Sequence, residues 1–447
     1  MDRILSRIKF AYSYIINSIG FYPTLISLFF FGLALLMLFL ESHGLSKQFQ
    51  DDLPFMIITD EATARLILSS ITTGIISLTV FSFTMVMLVL NQASANFTPR
   101  VIPGLISHKS NQRVLGLYLG TLIYTLVIMV NIHAEYYSIP LPGFSIFLSM
   151  CFTILCLSFF VYFIHSISQS IQIESILEGI YHVTTQRLNK EIKNDKGHLV
   201  PNVFTTHKDW YPVLSPETGY LQSLDQERIL EICCEYDVVL YFDHPLGNFV
   251  VQGVPFARVN KSLEDIEGFV KKLFSHTDFF REERPSVNYL FGFKHITESA
   301  VKALSPGIND PGTAIKAIDY LTALFSLRMN LTDDKILYDE KGAARIRFEH
   351  ESFGELYNLS LGPIRLYGKG SSVIVLRLLY LLQSLLYKVQ AYPHLKQVLY
   401  QETNLLMHDA DKEIHNPGDR QKINQQVLAI NNMHVLDRAI PLLKAEL

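Results

Sequence analysis

Long uncharged runs separated by short polar loops fill the first part of the chain, and beyond Ile171 the apolar residues recur in the shorter periods of strands and soluble helices. Four uncharged runs stand out: Phe21 to Leu40, Leu66 to Leu90, Val114 to Val130 and Phe144 to Ile164. A run as long as Leu66 to Leu90 makes a helix about 37 Å long, against a bilayer core of roughly 30 Å. The pattern therefore predicts an α-helical membrane domain over 21–172 with four transmembrane helices, at about 21–40, 66–90, 114–130 and 144–164. Ahead of it, residues 1–20 read as an amphipathic surface helix, with Ile4, Leu5, Ile8, Tyr12 and Ile15 on one face and Arg3, Arg7 and Lys9 between them.

The second run has an unusual composition. No charge occurs between Arg65 and Arg100, yet hydroxyls recur on nearly every turn, and Ser70, Thr73, Ser77 and Thr84 fall on one helical face. In an oligomer that face would line an ion path, with Asn91 and Gln92 near the inner mouth and Arg65 and Arg100 as charges at the two ends. Positive mouths favour anions. The competing reading is that these hydroxyls bond to carbonyls one turn back or to a neighbouring helix. Within the four runs no Asp, Glu, Lys or Arg occurs, which counts against proton-coupled carriers, pumps and intramembrane aspartyl proteases. In the third run Gly116 and Gly120 form a G-x-x-x-G motif, suited to close helix packing inside one subunit or between subunits.

Sidedness follows from the loops. Arg100, Lys109 and Arg113 lie between runs two and three, and Arg187, Lys190, Lys193 and Lys196 follow run four. The other two loops are acidic or nearly uncharged, so both termini are expected in the cytoplasm. The fourth run continues without proline as HSISQSIQIESILEGIYHVTTQRLNKEI, which predicts a stalk helix and linker over 173–216.

A cytoplasmic α+β domain is expected next. GYLQSL, VVLYF, NFVVQ and PFARV read as strands of a small β-rich subdomain over 217–262, with DQERILEICCEY as a helix among them. Residues 263–447 read as mainly helical, apart from a strand at RIRFE. VNYLFGFKHITESAVKAL and TAIKAIDYLTALFSLRMN make two helices joined by the corner SPGINDPG, and Val373 to Leu386 makes a core or dimerisation helix. At the corner Asp310 can cap the second helix and Pro311 suits its first turn. The helix start, with Gly307, Asn309 and Asp310 and with Lys294 and His295 one helix away, is a candidate site for a small anionic ligand. It is equally a well-capped helical hairpin.

Composition removes other options. With 447 residues, 49% apolar, and a net charge of −4, the chain holds two or three domains and shows no basic patch for nucleic acid. Its four cysteines lack metal or disulfide spacing, and no P-loop, G-x-S-x-G or H-E-x-x-H motif is present, so no cofactor, metal or catalytic residue is expected. A membrane enzyme would need a site assembled from distant residues, for instance His244, His276 and His295.

Four stretches, SFTMVMLVLNQASANFTPR, VLGLYLG, YFIHSISQSIQ and FGFKHITESAVKALSPGINDPGTAI, resemble those of a bacterial family of predicted membrane proteins classed as a domain of unknown function. Lys294 stands where that pattern has arginine, and Gly312 where it has a bulkier, usually aromatic residue. The resemblance implies a four-span integral membrane protein with a cytoplasmic domain, and no reaction. The expected partners are the lipid bilayer, further copies of the chain, and an inorganic ion or small anion. Two functions follow: a channel-like oligomer lined by the second span, or a non-conducting membrane-anchored sensor or scaffold using the SPGINDP corner.

Overall fold

A computed structural model describes residues 20–43, 45–46, 58, 60–96, 109–132, 141–170, 173–195, 201–204, 209–280, 283–349 and 351–444. The expected amino-terminal amphipathic helix and Arg100 lie outside them. Two compact units meet in sequence near Gln172 and Ile173.

In the first unit the four apolar runs form α1 (Phe21–Ser42), α2 (Glu61–Asn96), α3 (Lys109–Asn131) and α4 (Gly143–Ser170). All four are long and apolar enough to cross a membrane. Side-chain contacts set their polarity. Arg113, near the start of α3, lies over the Tyr22 ring at the start of α1, so these two helices run parallel. The Tyr162 hydroxyl near the end of α4 bonds Ser110 at 2.8 Å, so α4 runs the other way. One apolar cluster joins Phe30 and Ala34 of α1 to Ala64, Leu68, Tyr124 and Ile146, and a second joins Ile71, Ile75 and Val89 of α2 to Val114, Tyr118, Phe163 and Ile167.

The G-x-x-x-G motif is used inside the subunit. A Cβ at Gly116 would stand 2.7 Å from Ile26 Cδ1, and one at Gly120 2.8 Å from Phe30 Cδ2, so α1 and α3 approach too closely for any side chain there. By contrast, a Cβ at Gly74 of α2 would meet nothing within 4 Å.

The second unit begins with α5 (Ile173–Asn194) and continues through β1 (Tyr211–Leu214), β2 (Gly219–Leu224), α6 (Gln226–Glu235), β3 (Leu240–Phe242), β4 (Phe249–Val250), β5 (Pro255–Val259), α7 (Ile266–Ser275) and β6 (Thr277–Phe280). After α8 (Tyr289–Ala303) and α9 (Pro311–Arg328) come β7 (Asp334–Tyr338), β8 (Ala344–Glu349), α10 (Phe353–Gly368), α11 (Ser372–Leu386), α12 (Lys396–Glu413) and α13 (Pro417–Asn431). Five strands pair in the order β1-β5-β3-β8-β7, with β3 and β8 parallel, and three more in the order β4-β2-β6. The sheet thus recruits β1, β7 and β8 from outside 217–262. Phe242, Phe256, Phe269, Ile346 and Phe348 fill one core, and Phe204 and Trp210 from the linker pack with Val239, Tyr241 and Ile336 in another.

Residues Val373 to Leu386 build α11, whose Ile374, Val375, Leu378, Leu379, Leu382 and Leu385 are buried in the helical core with α8 and α9. The last helix, α13, stops at Asn431. The reason is that the following tail folds back: Asn431 pairs with Ile440, and Asn424 with Leu443, through backbone and side-chain bonds of 2.8–3.1 Å.

Candidate functional site

Along α2 the side chains divide into two faces. Ala64, Leu68, Ile71, Ile75, Ser82 and Val89 are buried against the other spans, whereas Ser70, Thr73, Ser77 and Thr84 are exposed. At 3.6 residues per turn the two sets point about 150° apart, so the hydroxyl stripe is turned away from its own bundle. Each hydroxyl donates to the carbonyl four residues back: Ser70 to Leu66 at 2.8 Å, Thr73 to Ser69 at 3.0 Å, Ser77 to Thr73 at 2.9 Å and Thr84 to Val80 at 2.9 Å. The donors are satisfied without water, while oxygen lone pairs remain on the outer surface as acceptors. Asn91 and Gln92 are exposed near the carboxyl end of the helix.

Arg65 is not a bare cation. Its Nη2 donates to Glu61 Oε1 at 2.7 Å. Asp60, which accepts from the Thr63 amide at 2.8 Å and its hydroxyl at 2.5 Å, adds a second carboxylate at this end of α2. An expectation of anion preference drawn from Arg65 alone therefore loses its basis at this mouth, because the positive charge is matched by Glu61 one turn earlier.

In the second unit, α8 and α9 form the expected hairpin around the SPGINDPG corner. The chain turns through Asn309 at φ 47°, a left-handed conformation that asparagine tolerates, and Asp310 then caps α9. Its carboxylate accepts from the Thr313 amide at 3.1 Å and the Thr313 hydroxyl at 2.6 Å. Those bonds, the hydroxyl first, hold the Asp310 carboxyl below the usual carboxylate range. Pro306, Gly307, Ile308 and Asn309 are exposed.

Lys294 and His295 are not gathered at this corner. His295 stands about 12 Å along α8 from Ala303, and both side chains turn to Glu283. Lys294 Nζ donates to Glu283 Oε1 at 2.7 Å, and the buried His295 ring places Nε2 3.5 Å from Oε2. Beside this pair, α8 crosses α5 where Gly292 meets Thr184. Deeper in the unit, Glu191 of α5 accepts from Lys335 Nζ of β7 at 3.1 Å and from Arg187. The fully buried Arg328 donates to the Leu331 and Glu351 carbonyls and to Asp333. Sequence reading missed Glu283, Glu191, Lys335 and Arg328, although a charge inside an apolar period, such as Lys335 in DKILY, is the signal of a buried ion pair. Of the three distant histidines, two have carboxylates of their own: His276 lies 3.9 Å from Asp225 and His295 faces Glu283.

A Glu41 knot in the first unit was also missed. This fully buried carboxylate, in the last turn of α1, accepts from the Ser145 amide and hydroxyl, both at 3.0 Å, and from the Ser46 amide at 3.2 Å and hydroxyl at 2.5 Å.

Four spans of this kind, followed by the FGFKH helix and the SPGINDPG corner, match a family model described as Predicted membrane protein (DUF2254), over residues 16–384. The chain belongs to this family. DUF2254 relatives include an uncharacterized protein of Mycobacterium bovis and one of Mycobacterium tuberculosis strain H37Rv, each 24% identical over 348 residues. The match covers 76% of this chain and 66% of each relative, so the chain spans just under two thirds of the length of the curated relatives it matches. No solved structure matches the chain.

Proposed function

We propose that this DUF2254 protein is an oligomeric, channel-like protein of the bacterial inner membrane, with both termini cytoplasmic, an ion path lined by α2 and a regulatory second unit. The observation that carries the reading is the direction of the hydroxyl stripe. Ser70, Thr73, Ser77 and Thr84 face away from the protomer's own spans, so a neighbouring copy or water is needed to cover them with anything but lipid. Oxygens in such a row can replace part of an ion's hydration shell. Arrangement around an axis would bring one stripe from each copy to a common lumen. The cations between the second and third apolar runs, Arg100, Lys109 and Arg113, and those after the fourth, Arg187, Lys190 and Lys193, support the assignment of sides.

Flux through reconstituted liposomes tests this directly. Potassium or chloride efflux is expected under voltage or tension, reduced by Ser77→Phe and altered in selectivity by Arg100→Glu. Liposomes tight to both ions across voltage, tension and candidate ligands refute it.

A second reading is a non-conducting anchor for a sensor or scaffold. The back-bonded hydroxyls favour it, because they can sit dry, and the exposed Pro306–Asn309 turn would be its contact surface. Ligand stabilisation of the full chain that Asp310→Ala removes, with no flux, selects this reading.

A further inference from the structure

The Glu41 knot has no place in either reading. Glu41 is at the carboxyl end of α1, is fully buried, and is the acceptor for four donors. Two of these come from the first turn of α4 and two from Ser46, in the segment that leaves α1. Ser46 closes the ring, since its hydroxyl also accepts from the Phe144 amide at 3.0 Å. One carboxylate therefore satisfies or organises amides at the start of α4 that have no partner inside their own helix.

We propose that Glu41 is a proton-sensitive latch which, while ionised, clamps Ser46 to the amino-terminal turn of α4, and which opens when the carboxylate takes a proton. Every contact is with a donor, and two are backbone N–H groups that cannot reverse their role. An ionised carboxylate offers acceptor sites on both oxygens for all four. A protonated one must set its O–H against the Ser46 or Ser145 hydroxyl, which then turns to accept, and it gives up the charge that strengthens the two amide bonds.

Among the described residues, the titratable and charged groups around Glu41 have partners of their own. Just past the end of α1, His43 is exposed and its Nδ1 is held by the Phe39 carbonyl at 2.8 Å. From α3, the Tyr124 hydroxyl donates to the Ser145 carbonyl at 3.2 Å. At the start of α2, Asp60 is committed to Thr63 and Glu61 to Arg65. On α4 the facing groups are Phe144 and Ser145, neither of which titrates. Among the described residues no cation pairs with Glu41.

Amide hydrogen exchange on the full chain in lipid nanodiscs tests the latch, read on peptides covering 141–150 and corrected for the intrinsic pH dependence of exchange. At neutral pH Glu41→Gln is expected to speed exchange at Phe144 and Ser145 by roughly tenfold or more, the scale set by hydrogen bonds to a charged group. Acidification should bring the wild-type rate to that of Glu41→Gln, whose own corrected rate stays constant. Unchanged exchange in Glu41→Gln, or a wild-type advantage that persists in acid, overturns the proposal. Should Glu41→Gln not fold, Ser46→Ala keeps the Ser145 bonds and opens Phe144 alone. Its excess exchange over wild type must likewise vanish in acid, and an excess that persists overturns the latch.

Discussion

Replacing Gly292 by alanine probes the closest helix crossing in the second unit. A Cβ there would lie 1.8 Å from Thr184 Oγ1, 2.6 Å from Cγ2 and 2.7 Å from Cβ. Thr184 cannot simply rotate away, because it is β-branched in a helix and its hydroxyl is bonded to the Ile180 carbonyl at 2.6 Å. The helices must separate instead. Alanine gains about 1 kcal/mol of helix propensity over glycine, while overpacking a tight core costs typically about 3 kcal/mol at the upper end of its range. The net loss is about 2 kcal/mol, or roughly 4–8 °C in Tm for a unit of this size. Thermal unfolding of the full chain in detergent reads it, and Thr184→Ala should restore part of the loss when combined with Gly292→Ala. Their coupling in a double-mutant cycle should exceed about 1 kcal/mol. Stability of Gly292→Ala equal to or above wild type, with no coupling to Thr184, refutes the argument.

The membrane unit gives a matching contrast: Gly120→Leu drives a side chain into Phe30 and should abolish the monodisperse peak in size-exclusion chromatography, whereas Gly74→Ala, with nothing within 4 Å of its Cβ, should leave it intact. Asp310→Ala should cost about 1 kcal/mol at neutral pH through loss of the α9 cap, measured by denaturant unfolding. Because the folded Asp310 carboxyl titrates below its ordinary value, its contribution is present above the ordinary carboxylate range and fades as pH falls through the folded value, so the two proteins should converge in acid. Among the thiols of the second unit, burial pushes Cys233 up to about 12, so native-state maleimide labelling followed by mass spectrometry should modify the exposed Cys234 and spare Cys233.

The four spans were legible because an uncharged run of that length has few other folded uses. Their partners were not. Gly116 and Gly120 announce close packing, but only Ile26 and Phe30 in the fold show that α1 takes both glycines. Glu41 escaped because the apolar run ends at Leu40, while α1 continues to Ser42 and carries the carboxylate into the bundle. The hydroxyl stripe was visible as a spacing, yet its outward direction depends on Ala64, Leu68, Ile71 and Ile75 being buried opposite, which spacing alone does not say. Asp310 and Pro311 were readable as a cap from local chemistry. Lys294 and His295 were assigned to the same corner because α8 makes them near in sequence, whereas the helix carries them away and Glu283 takes them up. The parallel pairing of β3 with β8 joins segments far apart in the chain, a contact no local period encodes.

Aqueous access to the α2 stripe tests the central claim most directly. In a background lacking the native cysteines, single cysteines at Ser70, Thr73, Ser77 and Thr84, with Ile71 and Ile75 as buried controls, are exposed to a charged, membrane-impermeant thiol reagent in intact proteoliposomes. The account predicts rapid modification along the stripe, slowed by a permeant ion, and none at the controls. A stripe as unreactive as the controls contradicts it.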